Sequence, residues 1–566
     1  MLVSFVLICY TLFTAFITGM MFLYILSKLL KINNGFYDFT FSAIAGLCFI
    51  AIVISIQHIF YKVGIVSHAI IWVFNGLVWS SNAKIFSVSI FTQWQNLKSK
   101  PLKIILIYAL FLVGAIVNIM ARPATGDAAD YHFQAIRWME EYQVVPGIGN
   151  IRRQLGNNSN WFLLNAFFGY SFTGLRSVYV LNASLLLMAC FYFSSAFEKI
   201  LNGNFEKYFI IKSLILFYLM LTVFRKYVGA VTNDFPITVL TLYVFSLLLE
   251  TNREDVFKRM MIIFFVAVMI TFKLSALPMI VFAGLVGMSV FKKLNSRFVI
   301  VFSALIVTLF VPWVYTNVMH CGYIVFPISN PDFFAVDWKM RKSVLDWEVM
   351  ANLAWARVPF ADVEITKQYV FAQWFPLWLK SLDGFSIFLM LGSIASMFIS
   401  AILCSVKKYR NELKKHLTAD ILYIFVTVVI ALYLWFTHGP TPRFVFGYLV
   451  FFIGFQMWLF VQVSLTLQKQ AKWVGKSIFL LTTAIFFVSC VPFLPKYFTT
   501  SSFVNQIVLP KNYTLVNATQ VKLEEGFVNV PAKYEQCWDS PIPCTSALDT
   551  ALTWRGAKME DGFKIK

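Results

Sequence analysis

Runs of about 20 apolar residues, separated mostly by short connections, recur from the first residue to about position 493. A run of that length matches the hydrocarbon thickness of a bilayer, where a helix satisfies its own backbone hydrogen bonds. About fourteen runs can be drawn on this basis, near 2–27, 40–61, 67–91, 103–121, 177–197, 209–224, 234–249, 259–273, 275–291, 298–316, 383–405, 420–437, 443–464 and 475–493. Ser80, Ser81, Asn82 and Lys84 interrupt the third, and Lys273 and Pro278 crowd the eighth and ninth. Composition agrees: 59% of the 566 residues are hydrophobic and 13% charged, against about half and a quarter in soluble domains. The expected fold class is an all-α polytopic membrane protein of about 14 transmembrane helices, with a small C-terminal exported domain that is α+β or β-containing.

The 47 Lys and Arg against 27 Asp and Glu leave a net charge of +20. In a soluble chain that excess points to nucleic acid, but here most of it falls in alternate short connections. Lys28 and Lys31, Lys98 to Lys103, Lys199 to Lys212, Arg253 to Arg259, Lys292 to Arg297, 407–416 and Lys469 to Lys476 form that set. The positive-inside rule makes these connections cytoplasmic, and no nucleic-acid partner is implied. The opposite side then carries two long loops, 122–176 and 317–382, and the tail from 494. The chain divides into three segments: 1–102 as N-terminal accessory transmembrane helices, 103–493 as the transmembrane core with both loops, and 494–566 as an extracytoplasmic domain. Cys537 and Cys544 lie in that tail, where oxidising conditions permit a disulfide; two free thiols are the alternative.

The first long loop opens RPATGDAADYHFQAIRWMEEY at 122–142. Thr125, Gly126 and Asp127 can cap a helix, and Asp130 follows three residues later. The segment reads as an amphipathic helix lying on the outer membrane surface, with Asp127, Asp130 and His132 at the bilayer boundary. A carboxylate there can take a proton from an acceptor hydroxyl; equally, Asp127 caps the helix and Asp130 favours its dipole. Asp234 precedes Pro236 at the next external span start and offers a second carboxylate, or an ordinary helix start.

A minority of cations falls on the side that the rule disfavours: Arg152, Arg153, Arg225, Lys226, Lys273 and Arg443. Guanidinium matches phosphate oxygens bidentately, and Arg443, after two prolines, is the residue best suited to hold a phosphate. The other reading is an interfacial anchor beside Trp435 and Phe444. Lys273 either snorkels or faces an anionic ligand. His438 can protonate a leaving oxygen or simply be solvated. In the second loop Trp338, Trp347, Trp355, Arg357, Trp374 and Trp378 interleave aromatic and polar groups, as in an interfacial belt or a sugar-stacking face.

An acidic helix start after an in-to-out span, a large outer loop and short alternating spans resemble the GT-C superfamily of membrane glycosyltransferases. Among its members are relatives of the protein mannosyltransferases and of the aminoarabinose transferase that acts on lipid A. More narrowly, GDAADYHFQAIRWMEEYQVVPGIGN, CGYIVFP (321–327), DWK (337–339), WAR (355–357) and CWDSPIPC (537–544) look like a family of bacterial membrane proteins placed near GT-C. The resemblance covers most of the chain from about residue 103; residues 1–102 have no counterpart in it. It implies a catalytic aspartate at Asp127, with Asp130 as substitute, and a second-loop carboxylate at Asp234. Ala128 stands where many members carry Glu after the Asp. It further implies a polyprenyl-phosphate-linked sugar donor, inversion at the anomeric carbon, and a site on the outer face of a bacterial inner membrane.

The expected function is therefore transfer of a sugar from a polyprenyl-phosphate-linked donor to a glycan, lipid or protein acceptor. Arg443, with Lys273 or Arg225, stabilises the departing phosphate. His132, Arg152, Arg153, Lys226, Arg357 and His438 complete the candidate substrate-binding set. A divalent cation could bridge Asp127 and the phosphate; the cofactor stays undetermined at this point. The alternatives are an O-antigen-type polymerase or ligase relying on Arg152, Arg153 and Arg443, and a lipid-linked glycan transporter.

Overall fold

The structure, a computed structural model, describes residues 1–32, 37–120, 126–174, 178–202, 208–223, 227–405, 407, 410–411, 417–463, 516–532 and 536–566. It is mostly helical. The first half comprises α1 (Leu2–Leu30), α2 (Phe39–His58), α3 (Ile65–Ser81), α4 (Ala83–Lys98), α5 (Leu102–Met120), α6 (Phe133–Glu141), α7 (Asn160–Phe167), α8 (Leu181–Leu201), α9 (Phe209–Val223) and α10 (Asp234–Glu250). The second comprises α11 (Val256–Phe272), α12 (Met279–Val290), α13 (Ser296–Cys321), α14 (Lys342–Arg357), α15 (Val363–Thr366), α16 (Phe371–Ser381), α17 (Gly384–Ser405), α18 (Ala419–His438) and α19 (Phe446–Val463). The tail adds β1 (Ala518–Lys522), β2 (Phe527–Pro531), β3 (Leu552–Trp554) and β4 (Phe563–Ile565), paired as two antiparallel hairpins.

Among the described residues, α1, α2, α5, α8, α13 and α18 are long and apolar enough to cross a membrane. The bent pair α16–α17 makes up to seven. Six, or up to seven, of the fourteen expected spans are thus recovered by length and composition among these residues. The third run splits at Asn82 into α3 and α4, as its polar interruption invites. Helices α10 and α11 have 17 residues each; at 1.5 Å per residue that is about 25 Å, short of a ~30 Å hydrocarbon core. The run at 475–493 lies outside the described residues.

Helices α1 and α2 are not set apart from the rest of the chain. Buried side chains of α1 and α2 join one continuous core with α7, α8, α10 and α11. Thr40 Oγ1 donates to the Met188 carbonyl, Thr11 Oγ1 lies 2.9 Å from the Tyr170 hydroxyl, and a His68 ring nitrogen lies 2.9 Å from the Phe167 carbonyl. Helices α1 and α2 cross so closely that a Cβ on Gly19 would lie 1.7 Å from the Ser42 carbonyl oxygen. One on Gly46 would lie 1.9 Å from that of Ala15. Small residues permit this approach.

Candidate functional site

Four charged side chains from separate parts of the chain meet at one end of the helical bundle. Asp127 comes from the turn before α6, Asp234 from the first residue of α10, Lys273 from the residue that ends α11, and Arg443 from the single turn Pro442–Phe444 before α19. Arg443 Nη2 donates to Asp127 Oδ2 at 2.8 Å, and its Nε lies 3.1 Å from Asp234 Oδ2. Lys273 Nζ donates to Asp234 Oδ1 at 2.5 Å and sits over the Phe444 ring. Each cation therefore serves the buried Asp234, and Arg443 bridges the two carboxylates.

Local structure explains why these groups are available. Asp127 makes no capping bond with its side chain; the following Ala128–His132 segment is a π-helical turn, a feature often found at functional sites. Asp234 does not cap α10 either: its own N–H donates to Thr232 Oγ1, so the threonine does the local work. Asp127 is half-buried, and Asp234 is 5% exposed. Burial pushes the Asp127 carboxyl up, but the cations Arg443 and Lys273 hold it below the ordinary carboxylate value. His132, 2% exposed, is packed between Tyr131 and Phe162. Burial lowers its pKa to about 4, and its Nδ1 has no hydrogen-bond partner among the described residues. A neutral imidazole thus lies beside the charged cluster.

The remaining sequence-derived candidates fall elsewhere. Asp130 is held by Arg152, whose Nη2 donates to both of its oxygens at 2.6 and 2.7 Å, while Arg152 Nη1 reaches Ser546 of the tail. Arg153 donates to Glu348 Oε2 and stacks over Trp347, both on α14. Arg357 stacks over Trp374. His438 is exposed at the end of α18, 2.7 Å from Thr437 Oγ1. Arg225 and Lys226 lie outside the described residues. Among the described residues, no group of three or more His, Cys, Asp or Glu is placed to hold a metal ion.

The expected surface-lying amphipathic helix is also corrected. Phe133 to Met139 of α6 are all buried, because α7 covers one side of the helix and the C-terminal tail another. Gln134 Nε2 donates to the carbonyls of Trp538 and Ser540, and Arg137 to that of Asp539. The Trp538 N–H donates to the Ala129 carbonyl, inside the π turn itself. Cys537 and Cys544 close this covering loop as a disulfide, with Cα atoms 5.9 Å apart.

A narrow cavity opens from Asp234 and Arg443 between α9, α10, α17 and α19, with Tyr218, Thr222, Tyr227, Phe235, Thr238, Phe385 and Phe446 on its walls. Sequence reasoning did not select these residues. The available signal was helical spacing: Thr238 stands four after Asp234, and Thr222 four after Tyr218, so each pair shares a helix face.

No curated protein and no solved structure matches the chain. Residues 1–450, from α1 through the Arg443 turn into α19, match one family, described as a domain of unknown function, DUF8201. Since the match takes in all four residues of the charged cluster, the chain belongs to the DUF8201 family together with its candidate site.

Proposed function

We propose that this protein is an inverting glycosyltransferase of the GT-C type. It would move a sugar from a polyprenyl-phosphate-linked donor to a glycan, lipid or protein acceptor on the outer face of a bacterial inner membrane. The observation that carries this reading is Asp127, half-buried and bridged through Arg443 to Asp234 and Lys273, beside a narrow cavity with apolar walls. The orientation follows from the short basic connections, which put the long-loop side outside.

In this reading Asp127 accepts the proton of the acceptor hydroxyl as that oxygen attacks the anomeric carbon. The carbon–oxygen bond to the donor phosphate breaks, and its electron pair leaves on the phosphate oxygen. Attack from the face opposite the leaving group inverts the centre. Guanidinium carries five N–H donors; Asp127 and Asp234 face only two of the Arg443 nitrogens. Further N–H groups remain for phosphate oxygens. Lys273 adds charge at the same place. Tyr218, Phe385 and Phe446 line an apolar path for the start of the donor's hydrocarbon chain. An incoming phosphate competes with Asp127 for Arg443, which frees the carboxylate to act as base only when donor is present.

The polymerase or ligase alternative relies on Arg152, Arg153 and Arg443; of these, Arg152 and Arg153 are engaged by Asp130 and Glu348, away from the cluster that holds Arg443. The decisive test is transfer from a polyprenyl-phosphate sugar in proteoliposomes. Asp127→Asn is expected to abolish product while leaving membrane insertion unchanged. An active Asp127→Asn enzyme, with Arg443→Ala inactive, would overturn the assignment in favour of the polymerase or ligase. Flux of the lipid-linked sugar without any glycosidic bond formed would favour a transporter.

A further inference from the structure

The segment that joins the second long loop to α17 carries apolar side chains that the rest of the protein leaves uncovered. Phe360 is 99% exposed and held at φ 61°, a backbone region that disfavours a bulky residue. Ile365, Val370, Phe371 and Leu377 follow at 58%, 63%, 55% and 40% exposure. Exposed patches of this kind mark an interaction surface.

Two independent features place that surface against the bilayer. The first is geometric. Helix α16 passes into α17 through a bend of 115°. A bend beyond a right angle turns the chain back on itself. With α17 along the bilayer normal, the Phe371 end of α16 therefore lies on the membrane side of its Ser381 end. Over 11 residues at 1.5 Å each, the difference in depth is about 7 Å. The second is packing. Trp374 and Trp378 turn inward onto the last turn of α18, with Phe436 at 5.7 and 6.2 Å and Trp435 6.0 Å from Trp378. Helix α18 is one of the spanning helices, so α16 sits level with the end of a span. The Trp378 and Trp435 indoles donate to the carbonyls of Pro440 and Thr441. Rings apolar on one side and hydrogen-bonded on the other are those of a membrane interface. Exposed Phe388 and Leu391 continue the apolar surface down α17.

We propose that residues 358–381 form a re-entrant interfacial element that inserts into the leaflet on the long-loop side, with Phe360 and the Phe371 end of α16 among the acyl chains. The occupant of this face is lipid rather than a second copy of the chain. The proposal does not depend on any enzymatic reading of the site.

The test uses the full chain with Cys9, Cys404 and Cys490 replaced by serine, and a fluorescent label on Phe360→Cys, Leu377→Cys or, as control, Glu524→Cys on the exposed β1–β2 turn. The protein is reconstituted in phosphatidylcholine–phosphatidylglycerol vesicles containing lipids with a nitroxide at C5. Labels at positions 360 and 377 are expected to be quenched by the nitroxide lipid and to lose iodide quenching on passing from detergent to vesicles. The label at 524 should keep its iodide quenching. Iodide quenching at 360 and 377 equal to that at 524 would overturn the proposal. Protection from iodide without nitroxide quenching would also overturn it, since protein and not lipid would then cover the face.

Discussion

Desolvation opposes every buried charge, and Asp234 has two cations to offset it. At 5% exposure its carboxylate depends on Lys273 and Arg443, and breaking a buried pair from one side leaves an uncompensated charge. Lys273→Met is expected to destabilise the protein by about 3 kcal/mol, read as a lower thermal midpoint in detergent. Lys273→Met with Asp234→Asn should recover much of that loss, because no orphaned charge remains. His132 predicts a pH dependence. Its folded-state pKa is about 4, against about 6.5 unfolded. Below 6.5 the unfolded chain takes up a proton that the folded protein refuses. Stability should therefore fall as pH drops from 6.5 towards 4. In His132→Gln the slope of thermal midpoint against pH over that window should be shallower. At this scale the sequence was informative about kind and not about company. Asp127 was recognisable from its place after a span and Arg443 from the prolines before it, yet their contact joins positions 316 apart. Nothing local distinguishes that pairing from the one between Asp130 and Arg152.

Among the elements, α1 and α2 show how backbone proximity depends on single residues. Gly46→Leu places a side chain where the Ala15 carbonyl already lies within 1.9 Å of an added Cβ. The helices must separate, and overpacking of this kind costs about 1–3 kcal/mol. The expected outcome is a lower thermal midpoint, with Gly76→Leu, whose Cβ meets nothing within 4 Å, as the neutral comparison. Element type was legible because apolar runs of this length leave little choice but helix. Their lengths were not: a run counted as one span at 67–91 becomes two helices, and α10 buries 15 of its 17 residues inside the bundle. Hydropathy measures dislike of water, and a helix buried in protein satisfies it as well as one in lipid. The same ambiguity reversed one assignment: helix α6, amphipathic in sequence, is buried within the protein.

Across the whole molecule, the tail ties the site to the long loops. Its disulfide-closed loop receives donors from Gln134 and Arg137 and donates to the π turn beside Asp127. Arg555 reaches Asp337 of the second loop at 2.9 Å. Gln134→Ala combined with Arg137→Ala is expected to loosen this docking, since several backbone carbonyls lose their donors at once. Limited proteolysis should then cut the tail faster in the double variant than in the parent, while a tail equally resistant in both would show that other contacts hold it. The described tail residues are thus packed onto the element that carries the candidate base.

The sequence by itself determined the helical class, the count of apolar runs, the charge asymmetry between the two sides and the presence of a small β-containing tail. These follow from composition and period, which act within tens of residues. Only the tertiary structure decided which carboxylate meets which cation, that α6 is covered, and that α1 and α2 are part of the core. Those outcomes depend on contacts between distant segments, where several partners of equal charge or hydropathy compete and only packing selects among them.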